Sequence, residues 1–144
     1  MGRNWVGFQT SPKSPPGQRM ERSAHVTTSL PAGQILDLLI SEHGLAQWLA
    51  TPTAYTTRRG GSLEFLDGQT AFGGSFLLID VPRRVILVTE QHGEIDVRVS
   101  IGHHESTVAI TVKRLIADSE NAEAVTSLLD STLARLRDAM TNVG

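Results

Sequence analysis

Ser119–Met140, SENAEAVTSLLDSTLARLRDAM, is the stretch that decides the fold. Val125, Leu128, Leu129, Leu133, Leu136 and Met140 recur at steps of three and four, so they share one face of a helix. Glu123, Asp130, Arg135, Arg137 and Asp138 fall mostly on the other face. Asp118 or Ser119 is placed to cap the first turn, and Glu120 and Glu123 sit where the helix dipole favours negative charge. A helix with one apolar stripe is marginal alone in water and needs a surface to pack on. Nearly everything between Tyr55 and Leu115 reads as strand, so the expected partner is a curved sheet that closes around the helix.

Working back from that helix, Thr107–Leu115 alternates, with Val108, Ile110 and Val112 on one side. Ile95, Val97, Val99 and Ile101 alternate with Asp96, Arg98 and Ser100, the pattern of a strand with one buried and one wet face. Gly102–Glu105 separates the two as a loop, and His92-Gly93 turns the chain before them. Val85–Gln91 and Thr70–Val81 are further strands, joined by Val81-Pro82-Arg83-Arg84. Asp67-Gly68 is a hairpin signal after a strand over Leu63–Leu66. Gly73-Gly74 inside a long strand predicts a bulge or bend.

Upstream the pattern changes. Arg19–Ser29 reads as a first strand. Pro31 suits the start of a short helix running to about Ser41, and His43-Gly44 is expected to break it. Leu45–Leu49, with Trp48, reads as a second short helix stopped by Pro52. Residues 1–18 carry Pro12, Pro15, Pro16 and Gly17 without periodicity and read as a disordered tail, in which Trp5 and Phe8 are the large apolar groups. Residues 19–144 are expected to form a single domain. The order is strand, two short helices, about six antiparallel strands and a long helix, an α+β arrangement joined by hairpin-length connections.

The 144 residues carry a net charge of −2, and nothing in that balance steers the chain toward nucleic acid. There are no cysteines, which excludes disulfides, thiol catalysis and cysteine metal sites and fits a cytoplasmic location. No apolar run has the length of a membrane span.

Three stretches carry a resemblance. Gly44-Leu45-Ala46-Gln47-Trp48-Leu49, Ile79-Asp80-Val81-Pro82-Arg83-Arg84-Val85 and Ser106-Thr107-Val108-Ala109-Ile110-Thr111 occur in the order found in the activator of Hsp90 ATPase homologue 1-like (AHSA1-like) family, which the chain resembles over residues 22–140. That family lies within the START-like/SRPBCC helix-grip superfamily. The chain departs from it at Thr89, where tryptophan is frequent, and at Asn121–Val125, which lacks a Gly-Trp pair. The resemblance implies a helix-grip fold, a curved antiparallel sheet of about six to seven strands around the last helix. It also implies a cavity between the two. Superfamily members hold hydrophobic molecules there, and a few are cyclases, hydrolases or chaperone activators.

The expected ligand-binding residues are Trp48, Phe65, Phe76, Leu78, Leu87, Thr89, Val97, Val99, Leu129 and Leu133, with ordinary core packing as the competing account of each. The strand period sends Thr89 inward with Leu87, either toward a ligand or onto a backbone carbonyl, and sends Glu90 outward. Glu90, His92, Glu94 and Asp96 form an every-other-residue polar series, but Gly93 turns the chain and destroys a common face, leaving solvated hairpin groups. His103-His104 is an adjacent loop pair without a third ligand, and Arg58-Arg59 and Arg83-Arg84 read as exposed turn charges. No catalytic residue, metal site or cofactor is expected. The reading that results is binding of a small hydrophobic or amphipathic ligand, with a chaperone-activator-like or other protein-interaction module as the alternative. A cyclase- or hydrolase-type enzyme is third.

Overall fold

The computed structural model describes residues 18–56, 58–80, 83–116 and 120–141. Strand β1 (Gln18–Thr28) leads into helices α1 (Ala32–Ile40) and α2 (Glu42–Trp48). Six strands follow: β2 (Thr51–Ala54), β3 (Ser62–Asp67), β4 (Thr70–Asp80), β5 (Arg84–Thr89), β6 (Gly93–Ser100) and β7 (Ser106–Ile116). Helix α3 (Ala122–Thr141) comes last. The strands form one seven-stranded antiparallel sheet in the order β1-β7-β6-β5-β4-β3-β2, so six of them run as a meander and β1 closes against β7.

The apolar stripe of α3 finds the partner it needs. Val125, Leu129, Leu133, Leu136 and Met140 are buried in one cluster with Phe65, Phe76, Leu87, Val97 and Ile110 from the sheet and Trp48 from α2. Leu128, expected on that face, is half-buried at its margin. Each fully buried side chain of this size contributes roughly 1.5–3 kcal/mol, which is why the helix is stable here and not alone. Asn121 provides the cap: its side-chain oxygen accepts from the N–H of Glu123 at 2.9 Å and of Ala124 at 3.3 Å. Asp118 and Ser119, the expected caps, lie outside the described residues, as do Trp5 and Phe8.

Contacts with β1 fix how α3 lies. Arg22 donates to both carboxylate oxygens of Asp130, at 2.8 and 2.9 Å. Thr28 Oγ1 donates to the Met140 carbonyl at 2.6 Å and accepts from the Leu30 N–H at 3.1 Å. The helix therefore runs along β1, with its closest approaches to β1, α2 and β7.

Three local expectations are corrected. The chain breaks at Ser41, whose hydroxyl accepts from the Gly44 N–H at 2.8 Å and caps α2. Gly44 lies inside that helix, where a Cβ would stand 2.2 Å from the Asp37 carbonyl oxygen. Pro52 belongs to edge strand β2, where its missing N–H does no harm. The register of β4 slips at Leu77, between Phe76 and Leu78, and not at Gly73-Gly74. Gly74 serves a close approach, since a Cβ there would lie 2.5 Å from the Val88 carbonyl oxygen.

Candidate functional site

Strand pairing divides the side chains between two faces. Phe76, Leu87 and Ile95 lie opposite one another, as do Val97 and Ile110, and Val99 and Val108. All are buried in one core cluster with residues of α3 and α2. Of the expected binding residues, Trp48, Phe65, Phe76, Leu87, Thr89, Val97, Val99, Leu129 and Leu133 are all on this interior. Leu78 is not: beyond the slip at Leu77 it pairs with Ile86, on the other face, and is half-buried.

The interior has one polar end that the sequence did not reveal. His92, expected to be solvated, is fully buried. Its backbone N–H donates to Thr89 Oγ1 at 2.8 Å, and the same hydroxyl lies 3.0 Å from His92 Nδ1. This bond folds the imidazole inward, where its ring meets the Phe72 ring edge-on at a centroid distance of 5.5 Å. Phe72 in turn stacks on Phe65 at 5.2 Å. Gly93 makes the tight turn possible. Its φ is 77°, and a Cβ there would stand 2.3 Å from the Lys113 carbonyl oxygen. Arg114 pins the turn by donating from Nε to the Gln91 carbonyl at 2.7 Å while pairing with Glu120 at 2.7 Å.

Arg135 of α3 acts on this end through its charge. At 100° per residue, Asp130 and Arg135 fall on opposite flanks of the helix's buried stripe. The Asp130 flank is tied to β1 through Arg22, and the Arg135 flank is close enough to His92 for its charge to act on the imidazole. Arg135 Nη2 donates to Thr132 Oγ1 at 3.2 Å. Burial pushes the His92 imidazole down to about 4, the charges of Arg135 and Arg114 add to the effect, and Asp67 opposes it. His92 is therefore neutral at pH 7. His92 Nε2, Arg135 Nε and Gln91 Oε1 are buried without a hydrogen-bond partner. Leaving such a group unpaired costs about 1–3 kcal/mol, so a site with several of them asks what normally fills it.

The outer face looks different. Asp96 accepts from Arg84 at 2.7 and 3.0 Å, with Arg98 3.6 Å away. The Arg84 hydrogen bonds hold its carboxyl below the usual carboxylate range, against the opposing effect of burial. Arg84 is thus a paired, half-buried residue where an exposed turn charge was expected; Arg58, Arg59 and Arg83 are exposed. Glu90 points outward as expected and accepts from the Gly73 N–H at 2.6 Å. It borders an open trough of about 620 Å³ over β3–β5, walled by Ser62, Glu64, Ser75 and Val88. His103 and His104 are exposed. Among the described residues no group of three His, Asp or Glu side chains is placed to hold a metal ion, and no helix is long and apolar enough to cross a membrane.

A seven-stranded antiparallel sheet gripping a C-terminal helix, with two short helices after the first strand, is the START-like helix-grip fold, which AHSA1-like proteins share. The AHSA1-like protein of Aeromonas hydrophila is 18% identical and superposes with a TM-score of 0.62 over 83% of this chain and 91% of its own. The Aha1 dimer of Colwellia psychrerythraea is 15% identical, with a TM-score of 0.62 over 84% of this chain and 96% of that one. A protein from Chromobacterium violaceum is 19% identical, with a TM-score of 0.64 over 83% and 96%. No protein-family model matches the sequence, and no curated protein does.

Proposed function

We propose that this protein binds a small hydrophobic or amphipathic molecule between its sheet and α3. The observation that carries the reading is the asymmetry of that helix. One flank is held close to β1, while the other faces an aromatic-rich interior that ends in buried polar atoms without partners. Buried polar atoms without partners are few in a native core, because each costs stability, and these three are what an occupant would satisfy. The lining we assign is Trp48, Phe65, Phe76, Leu87, Thr89, Val97, Val99, Leu129 and Leu133. The fold shared with the AHSA1-like proteins is compatible with such a role.

The test is a titration of the full chain with a neutral fluorescent hydrophobe, N-phenyl-1-naphthylamine, against wild type and Leu129→Trp. Saturable binding by wild type and none by the folded variant supports the site. Uptake that survives in a folded Leu129→Trp places the ligand elsewhere. Overpacking costs about 1–3 kcal/mol, so the stability of the variant is measured alongside.

A second reading, a protein-interaction module, is favoured by the open trough over β3–β5, whose walls mix Glu64 and Glu90 with Ser62, Ser75 and Val88. In that case substitution of Glu64 and Glu90 abolishes partner capture, while Leu129→Trp leaves it unchanged.

A further inference from the structure

Binding between the sheet and α3, on which this inference rests, requires a way in. None of the nine lining residues is more than 7% exposed, so a ligand reaches them only where the wall parts. In the sheet each strand pairs with the next from β1 to β2. On the helical side Trp48 Nε1 donates to the Leu38 carbonyl at 2.7 Å, and the Tyr55 hydroxyl donates to the Ile40 carbonyl. The seam between β1 and α3 is fastened less evenly. Met20, Arg22, Ala24, Val26 and Thr28 share one face of β1 by the strand period. Met20 Sδ accepts from Thr126 Oγ1 at 3.3 Å, Arg22 holds Asp130, and Thr28 Oγ1 donates to the Met140 carbonyl. Val26 is buried in the cluster that holds Leu133, Leu136 and Met140. Ala24 is the exception in this series. A crevice of about 190 Å³ opens there, lined by Ser23, Ala24, Asp130, Leu133, Ala134 and Arg137. Among the described residues no hydrogen bond ties α3 to β1 between Asp130 and Met140, a run of about 15 Å at 1.5 Å per residue. Leu133 belongs both to the crevice and to the buried cluster, so the crevice ends on the lining itself.

We propose that the ligand enters and leaves through this seam at Ala24, with the Arg22–Asp130 ion pair as its latch. The pair is about half exposed on both sides, so it breaks at little cost. Ala24 and Ala134 are small, and an apolar molecule in the crevice meets Leu133 as the side chain that has to swing aside. The contacts at Thr126 and Met140 keep the helix seated on β1 while the stretch between them opens.

The experiment follows uptake and release of N-phenyl-1-naphthylamine by stopped flow on the full chain, for wild type, Ala24→Leu and Asp130→Asn. A gate sets rates and leaves affinity alone, because it acts on the passage and not on the bound state. Ala24→Leu fills the crevice and slows uptake and release together by about tenfold, since the added apolar surface is uncovered at each opening. Asp130→Asn removes the latch and speeds both by about twofold. The dissociation constant stays at the wild-type value in each. Salt screens the exposed pair, so it speeds exchange in wild type and not in Asp130→Asn. That comparison decides the matter if Ala24→Leu fails to fold, and an equal response to salt in the two proteins overturns the proposal. Wild-type rates in both folded variants also overturn it and leave the binding reading in place. So does an Ala24→Leu protein whose affinity falls while its uptake rate is unchanged, which makes Ala24 part of the binding surface. Absence of saturable binding by wild type overturns both.

Discussion

Asp96 and His92 lie four residues apart, at opposite sides of one sheet, and both carry polar groups out of water. Asp96 on the outer face is fully served, by two hydrogen bonds from Arg84 and by the nearby Arg98. His92 on the inner face is half served: Thr89 holds Nδ1, and Nε2 has nothing. A closed network of the first kind fixes structure, here the register of β5 on β6. An open one of the second kind destabilises the protein for as long as it stays unpaired.

The largest effect that sharpens this contrast is on the two faces themselves. Leu129→Ala removes a fully buried side chain and lowers unfolding stability in urea by roughly 2–5 kcal/mol. Leu77→Ala, at the bulge and 47% exposed, changes it by about 0.5 kcal/mol or less.

Next comes pH. Folded His92 titrates at about 4 and an unfolded histidine at 6.5, so the unfolded chain takes up its proton first as pH falls. Stability is lost through the window from 6.5 down to about 4, on the order of 3 kcal/mol at about 1.4 kcal/mol per pKa unit. His92→Gln flattens that window in urea melts repeated across pH. Asp96 acts lower: its contribution is present above the usual carboxylate range and disappears as pH falls through its depressed value. Two separate acid transitions, only the upper one removed by His92→Gln, are the expected record.

The third effect is one of sign. Arg135→Met removes a partly buried charge that has no counter-ion among the described residues, and is neutral or stabilising by about 1 kcal/mol. Asp96→Asn opens a closed network and lowers the melting temperature. Equal losses for both substitutions in thermal melts contradict the distinction between the two polar groups. The smallest effect is at the Arg22–Asp130 pair, about half exposed on both sides. Asp130→Asn costs about 0.5 kcal/mol or less, and that cost shrinks further in high salt.

The fold was legible because periodicity reports burial. Val125 through Met140 at helical spacing and Ile95 through Val99 at strand spacing each name one face, and the turns at Asp67-Gly68 and His92-Gly93 bound the strands. Element edges and the slip at Leu77 were not legible, since a bulge depends on how two strands meet and not on either alone. That slip is also why Leu78 left the face that its spacing from Phe76 gave it.

The polar end of the interior was hidden for a different reason. His92 sits in a turn, where histidines are usually wet, and Arg135 sits on a flank that helical spacing groups with charged residues. What brings them inside is a hydroxyl three residues before the histidine and the position of α3 across the sheet. The first of these leaves a faint local trace, Thr89 in step with Val85 and Leu87 before a four-residue turn ending at Gly93. The second is tertiary and leaves none.

The most direct test of an occupied interior is native mass spectrometry on the full chain purified gently, without detergent, from its own host, and again after incubation with N-phenyl-1-naphthylamine. A one-to-one adduct that survives desalting and vanishes on denaturation is the predicted result, with the mass of the host-derived adduct fitting a small hydrophobic or amphipathic molecule. The bare chain mass in both preparations contradicts the account.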